Sequence, residues 1–143
     1  MNFPRILKKR KGYIDRIKPF MQKSVAKVLT GQRRVGKSFL LYQLIEEILA
    51  EEPDANIIYV NLEDFTFSSL QTAEDLHSYI ISHSKEKVKN YIFIDEIQDI
   101  PGFEKVIRSL LLNEDNDIYI TGSNAKMLSG ELATYLSGRY IEF

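Results

Sequence analysis

The chain has 143 residues, 44 % of them hydrophobic and 27 % charged, with a net charge of −1, which suits about one globular domain with a real core. It contains no cysteine, which excludes disulfides, thiol catalysis and Cys-ligated zinc. No apolar run is long enough to span a bilayer and no signal-peptide-like stretch follows the first basic residues, so a cytoplasmic location without membrane contact is expected.

The charge is unevenly spread. Of the 19 basic residues, Arg5, Lys8, Lys9, Arg10 and Lys11 fall in the first twelve positions, where there is no acid; the remainder sets 14 basic against 20 acidic residues. Residues 1–12 are therefore expected to form a basic N-terminal arm, either a solvated terminus or a contact for nucleic acid, and residues 13–143 the folded core.

Along that core the pattern alternates between strand and helix. A short helix is expected over 12–22, ending near Pro19-Phe20, and a strand over 25–30. A long helix over 37–51 follows from the spacing of Phe39, Leu40, Leu41, Leu44, Ile45 and Ile48. A second strand occupies 56–61. A helix over 73–88 takes Thr72 as its N-cap. The third strand, 91–95, is apolar up to its final acid and is expected to be buried on both faces. Pro101 suits the first turn of the next helix, whose apolar face is Phe103, Val106, Ile107, Leu110 and Leu111. A fourth strand covers 117–121, a helix 125–137 stops at Gly138, and a fifth strand covers 139–143. Such alternation implies an α/β fold, a parallel sheet covered on both faces.

Two motifs carry chemistry. Gly31-Gln32-Arg33-Arg34-Val35-Gly36-Lys37-Ser38 matches the phosphate-binding pattern G-x-x-x-x-G-K-[ST] at every fixed position. The glycines let successive backbone N–H groups curl around phosphate oxygens. Lys37 brings a mobile charge to the β- and γ-phosphates, and the Ser38 hydroxyl is a hard oxygen ligand suited to Mg²⁺. The helix beginning there turns its positive end toward the same anion. Residues 31–39, from Gly31 through Phe39, are thus expected to touch a nucleotide. Arg33 and Arg34 either add positive potential or are solvated loop surface. The second motif is Tyr91-Ile92-Phe93-Ile94-Asp95-Glu96. An acid at the carboxyl end of a buried strand sits where α/β sheets bind ligands. Asp95 is expected to hold Mg²⁺, and Glu96 to act as general base on a water aligned with the γ-phosphate. His77 and His83 share no helix face, and nothing near them completes a metal site.

These segments resemble the Walker A and Walker B motifs of P-loop ATPases that carry a catalytic glutamate. Wider pieces (Y-I-D-R-I-K-P-F, F-I-D-E-I-Q and T-G-S-N-A-K-M-L-S-G-E-L…L-S-G-R) are similar to prokaryotic AAA-type ATPases that are usually followed by a C-terminal domain of poorly defined role. The resemblance runs from about residue 10 to 143. It implies a three-layer α/β/α sandwich with five parallel strands in the order 5-1-4-3-2, ATP and Mg²⁺ as ligands, and a homo-oligomer in the full-length protein. It also assigns three further residues. Ser123, with Asn124 beside it, would sense the γ-phosphate, unless the pair caps the next helix. Arg139 would reach a neighbouring subunit's nucleotide, unless it pairs with a surface acid. Asn61 would restrain Glu96, unless it is a strand-end turn residue. The family's helical lid does not follow Phe143, so the chain is expected to be the core of a longer parent.

Rival activities fit less well. No N-K-x-D-like guanine motif is present, against a GTPase, and the adjacent Asp-Glu pair argues against a small-molecule kinase. A nucleotide-dependent switch or scaffold with negligible hydrolysis is the alternative to an ATPase; single-turnover hydrolysis separates the two.

Overall fold

A computed structural model describes residues 11–21, 23, 25–30, 36–123, 136 and 139–143. Its elements follow one another as α1 (Lys11–Ile17), β1 (Ala26–Thr30), α2 (Lys37–Glu51), β2 (Asn56–Asn61), α3 (Ala73–His83), β3 (Asn90–Asp95), α4 (Phe103–Leu110), β4 (Asn116–Gly122) and β5 (Tyr140–Glu142), with 3₁₀ turns at Lys18–Phe20, Phe65–Phe67 and Ile97–Asp99. The five strands form one parallel sheet in the order β2-β3-β4-β1-β5. This is the expected order read from the other edge, so the α/β/α P-loop NTPase fold stands.

Strand alternation decides which helices cover which face, because successive side chains point to opposite sides. Val28, Val60, Ile92, Ile94, Ile118 and Ile120 point one way and bury Leu76 and Ile80 of α3 with Val106 and Ile107 of α4. Leu29, Tyr91, Phe93 and Tyr119 point the other way, under Ile14 and Ile17 of α1 and Leu41, Leu44, Ile45 and Ile48 of α2. β3 and β4 are buried along their whole length, as expected for central strands covered on both faces.

Helix boundaries differ from the sequence expectation at the end of α3 and the start of α4. α3 ends at His83, not 88. Beyond Ser84 the chain is polar, and the Asn90 side chain organises the loop instead, accepting from the Lys85 N–H at 2.9 Å and donating to the Lys85 carbonyl at 3.1 Å. The other end of α3 is as expected, with Thr72 as N-cap and Asp75 closing a capping box. Asp75 accepts from the N–H groups of Gln71 and Thr72, which holds its carboxyl below the usual carboxylate value. Pro101 lies in the turn before α4 rather than in its first turn. Gly102 is the N-cap at φ 76°, a left-handed conformation that suits glycine. The helix expected over 125–137, with Asn124 and Gly138, lies outside the described residues except for the buried Leu136.

One feature of the core was not foreseen. Lys27, in β1, is fully buried on the α2 face. Its ammonium is paired with the equally buried Asp117 of β4. It also donates to the carbonyls of Val25 at 2.9 Å and Lys23 at 3.3 Å and lies 4.8 Å from the Tyr119 ring centre. Tyr119 donates to the other Asp117 oxygen at 2.7 Å. Burial pushes the Lys27 ammonium below its usual value while Asp117 pulls it back, and burial beside Asp117 pushes the Tyr119 hydroxyl up. A buried ion pair adds little net stability, but removing one partner strands the other charge. Asp117→Ala should therefore cost about 3–5 kcal/mol in urea unfolding. The double variant Lys27→Met/Asp117→Leu should recover most of that loss; a double variant as unstable as Asp117→Ala would show that the charges do not offset one another.

Candidate functional site

The carboxyl edge of the sheet gathers the acids and the lysine of both motifs. Asp95 ends β3 on the same face as Tyr91 and Phe93, so its carboxylate points to the start of α2. There the Ser38 hydroxyl donates to Oδ2 of Asp95. Thr121, near the end of β4, shares the parity of Tyr119 and donates to Oδ1 of Asp95. Tyr59, on β2, has its hydroxyl 3.3 Å from Oδ2 of Asp95 and 3.2 Å from the Tyr42 hydroxyl. Burial, the Tyr42 bond and the Asp95 charge push the Tyr59 hydroxyl above its usual value. Three hydroxyls from three elements thus surround one buried carboxylate.

Glu96 follows at φ 60°, a left-handed conformation uncommon outside glycine. Its N–H donates to Oγ1 of Thr121 at 3.0 Å. One carboxylate oxygen accepts from the Gln98 amide at 2.6 Å, and the other lies 3.8 Å from the Lys37 ammonium. Glu96 and Lys37 are both buried. Lys37 also donates to the carbonyl of Gly122, the last residue of β4, at 2.8 Å. Gly36 caps α2 at φ 80° and ψ 26°, as the second glycine of the motif must where the loop turns into the helix.

The remaining candidates are placed as follows. Ser123 directly follows Gly122 and is half-buried. Phe39 is partly exposed in the first turn of α2, edge-on to Tyr42 at 6.2 Å. Asn61 pairs in register with Asp95, but its side-chain oxygen accepts from the Glu63 N–H at 3.0 Å, an Asx turn at the strand end. Arg139 stands apart from the site. Its carbonyl accepts from Ala26, at the amino end of β1, and its guanidinium donates to the Leu111 carbonyl after α4 at 3.0 Å. Gly31, Gln32, Arg33, Arg34 and Val35 lie outside the described residues. Tyr59, Thr121 and Gln98 were missed in the sequence. Only the strand parity and register that bring Tyr59 and Thr121 to Asp95 identify them.

The donor set suits Mg²⁺. A hydroxyl and a carboxylate oxygen, both hard, already meet at Ser38 and Asp95. Mg²⁺ commonly takes one or two protein oxygens and completes its shell with water and phosphate. Among the described residues no group of three or more His, Asp or Glu side chains forms a metal cage.

The fold and this edge define an α/β P-loop NTPase-like domain. Residues 23–143 match the family model described as an AAA domain, and the chain belongs to that family. It is 42 % identical over 140 residues to an uncharacterized protein of Haemophilus influenzae, covering 93 % of this chain and 34 % of that protein. It is 37 % identical over 117 residues to the uncharacterized protein MJ1544 of Methanocaldococcus jannaschii, covering 81 % of this chain and 25 % of that protein. The chain thus spans about a third or a quarter of these relatives. Among solved structures it resembles Saccharomyces cerevisiae RIF2 (TM-score 0.61, 13 % identity, 96 % of this chain and 56 % of that one). It also resembles a DNA replication initiation factor (TM-score 0.53, 17 % identity, 99 % and 48 %) and a chain of the Drosophila ORC structure with AT-rich DNA and Cdc6 (TM-score 0.54, 9 % identity, 93 % and 52 %). At these identities the structural likeness concerns the fold.

The hydroxyl shell of Asp95 is testable without nucleotide. Thr121→Val keeps the shape but removes both the donor to Asp95 and the acceptor for the Glu96 N–H. It should cost about 1–3 kcal/mol in urea unfolding, with Tyr59→Phe costing less, about 1 kcal/mol. A Thr121→Val protein as stable as wild type would show that Asp95 and Glu96 are not anchored through Thr121.

Proposed function

We propose that this AAA domain binds Mg-ATP at the carboxyl edge of its sheet and hydrolyses it, coupling hydrolysis to conformational change in a longer protein. One observation carries the reading. The Ser38–Asp95 hydrogen bond joins the two motifs, with the Lys37 ammonium and the Glu96 carboxylate 3.8 Å apart beside it. That arrangement combines a cation for phosphate, two hard oxygens for a metal and a carboxylate free of the metal pair.

Each side chain then has a distinct task. Backbone N–H groups of residues 31–36 and the start of α2 hold the phosphates. Lys37 turns its ammonium to the β- and γ-phosphate oxygens. Ser38 and Asp95 hold Mg²⁺, which when bound neutralises charge developing on the phosphates. Glu96 accepts a proton from the attacking water. Ser123, one residue beyond the carbonyl that holds Lys37, senses the γ-phosphate, and Phe39 flanks the nucleotide. Asn61 ends β2 beside Asp95; its side-chain oxygen holds the Asx turn, and its amide nitrogen is the donor that would restrain Glu96. Arg139 sits at the opposite edge, so its part is on the nucleotide of a neighbouring copy in a homo-oligomer.

The binding and chemical roles separate by mutation. A charge-assisted hydrogen bond is worth about 1.5–3 kcal/mol. Lys37→Ala should therefore weaken Mg-ATP binding about tenfold to a hundredfold in calorimetry. Asp95→Ala should weaken binding only where Mg²⁺ is present. Glu96→Gln should keep ATP affinity and lower hydrolysis by about 10²–10⁴. Unchanged affinity in a folded Lys37→Ala protein would contradict the site, and full turnover in Glu96→Gln would move the base elsewhere.

Arg139 has its own test. In an assembly that hydrolyses ATP, Arg139→Ala and Lys37→Ala subunits should each be inactive alone and partly active when mixed. The first keeps an intact phosphate loop and the second donates the arginine. No recovery in co-assembled mixtures would make Arg139 a structural residue that serves Leu111.

A further inference from the structure

We propose that Gln98 is the positioning residue for Glu96, the side chain that sets where the base carboxylate points. The inference rests on the reading of Glu96 as the base and deepens it.

The local geometry requires an outside hold on this side chain. Glu96 leaves the strand ladder at φ 60°, so neither β3 nor the following turn dictates its direction through regular backbone. The 3₁₀ turn Ile97–Asp99 begins at the next residue and is pinned by buried Ile97 and Ile100. That fold-back brings Gln98 beside Glu96, and the amide nitrogen lies 2.6 Å from a Glu96 carboxylate oxygen. A carboxylate can only accept, so the amide must present its N–H₂ side to it. The cost of that choice is visible. The amide oxygen of Gln98 is buried with no hydrogen-bond partner among the described residues. An amide that leaves its own oxygen unmet to keep its nitrogen on a carboxylate is fixed in one orientation by that carboxylate.

The other hold on Glu96 is not permanent in the proposed cycle. Lys37 lies 3.8 Å from the second carboxylate oxygen and also serves the Gly122 carbonyl. Its ammonium is the group that turns to phosphate when ATP binds, and Glu96 then keeps Gln98. Asn61, the residue expected to restrain Glu96, makes no hydrogen bond to it among the described residues, and its side-chain oxygen accepts from the Glu63 N–H. Gln98 is thus the neutral donor that stays on the base while the charges around it are redistributed. It orients the carboxylate without adding a charge that would compete with the phosphates.

The experiment has two arms on the same proteins. In ¹⁵N-labelled protein the Gln98 side-chain amide signals, assigned by their loss in Gln98→Met, should stand apart from the free glutamine cluster and return to it in Glu96→Ala. In steady-state hydrolysis Gln98→Met should lower kcat about tenfold to a hundredfold, the scale of a mispositioned catalytic group. ATP affinity and KM should stay within about twofold of wild type, since a group needed only in the transition state changes kcat and not ground-state binding. Gln98→Glu, which keeps the length but repels the carboxylate, should not rescue turnover. Gln98 signals at the free position, or unmoved by Glu96→Ala, would overturn the proposal. So would Gln98→Met with wild-type kcat, or with affinity and kcat lost together. If wild type hydrolyses no ATP, or Glu96→Gln hydrolyses as wild type does, the reading of Glu96 as base fails and with it the catalytic half of this one, while the amide signals still decide whether the bond exists.

Discussion

The Asp95 carboxylate is the constraint around which the described structure is arranged. A carboxylate at the inner end of a buried strand is costly unless its oxygens are satisfied. Here Ser38, Thr121 and Tyr59 do so, from α2, β4 and β2. Their positions follow from parity. Asp95, Thr121 and Tyr59 all lie on the α2 side of the sheet, and a one-residue slip of any strand would send its hydroxyl or acid to the α3–α4 side. The parallel register therefore holds the site as firmly as it holds the core. The same Thr121 hydroxyl accepts from the Glu96 N–H, so Asp95 and Glu96 share one support.

The α2 face of the sheet carries a second buried polar centre at its other end. Lys27, Asp117 and Tyr119 form one set there, with opposite charges paired and further hydrogen bonds to carbonyls and from a phenol. Among the described residues, by contrast, the hydrogen bonds that Asp95 accepts come from neutral hydroxyls. That difference separates a structural centre from one suited to a metal. Both are buried carboxylates on central strands, and only the one at the carboxyl edge, where α/β sheets take their ligands, meets the two sequence motifs.

Much of this was legible in the sequence where the signal is local. β2 and α2 start and stop where their apolar spacing places them. The Thr72 cap was legible because a threonine directly precedes the helical pattern. What could not be read depends on neighbours distant in the chain. Lys27 looks like a polar interruption in a strand-like run, and its burial makes sense only beside Asp117, ninety residues on. Tyr59 reads as one more apolar strand residue until its register beside Phe93 brings the hydroxyl to Asp95. Gln98 reads as a turn residue, and only the left-handed step at Glu96 folds it back onto the carboxylate. α3 was overextended because the polar stretch after Ser84 has no helix breaker; its end is set by Asn90 on the neighbouring strand.

The central claim is that an Mg-nucleotide sits at the carboxyl edge, against Ser38 and Asp95. Titration of ¹⁵N-labelled protein with ATP and Mn²⁺, a paramagnetic substitute for Mg²⁺, tests it most directly. The account predicts that amide signals of Lys37, Ser38, Asp95, Glu96 and Gly122 broaden first, while those of Lys27, Asp117 and Arg139 at the amino edge persist, and that excess Mg²⁺ reverses the effect. Broadening centred on the amino edge, or none at saturating nucleotide, would contradict it.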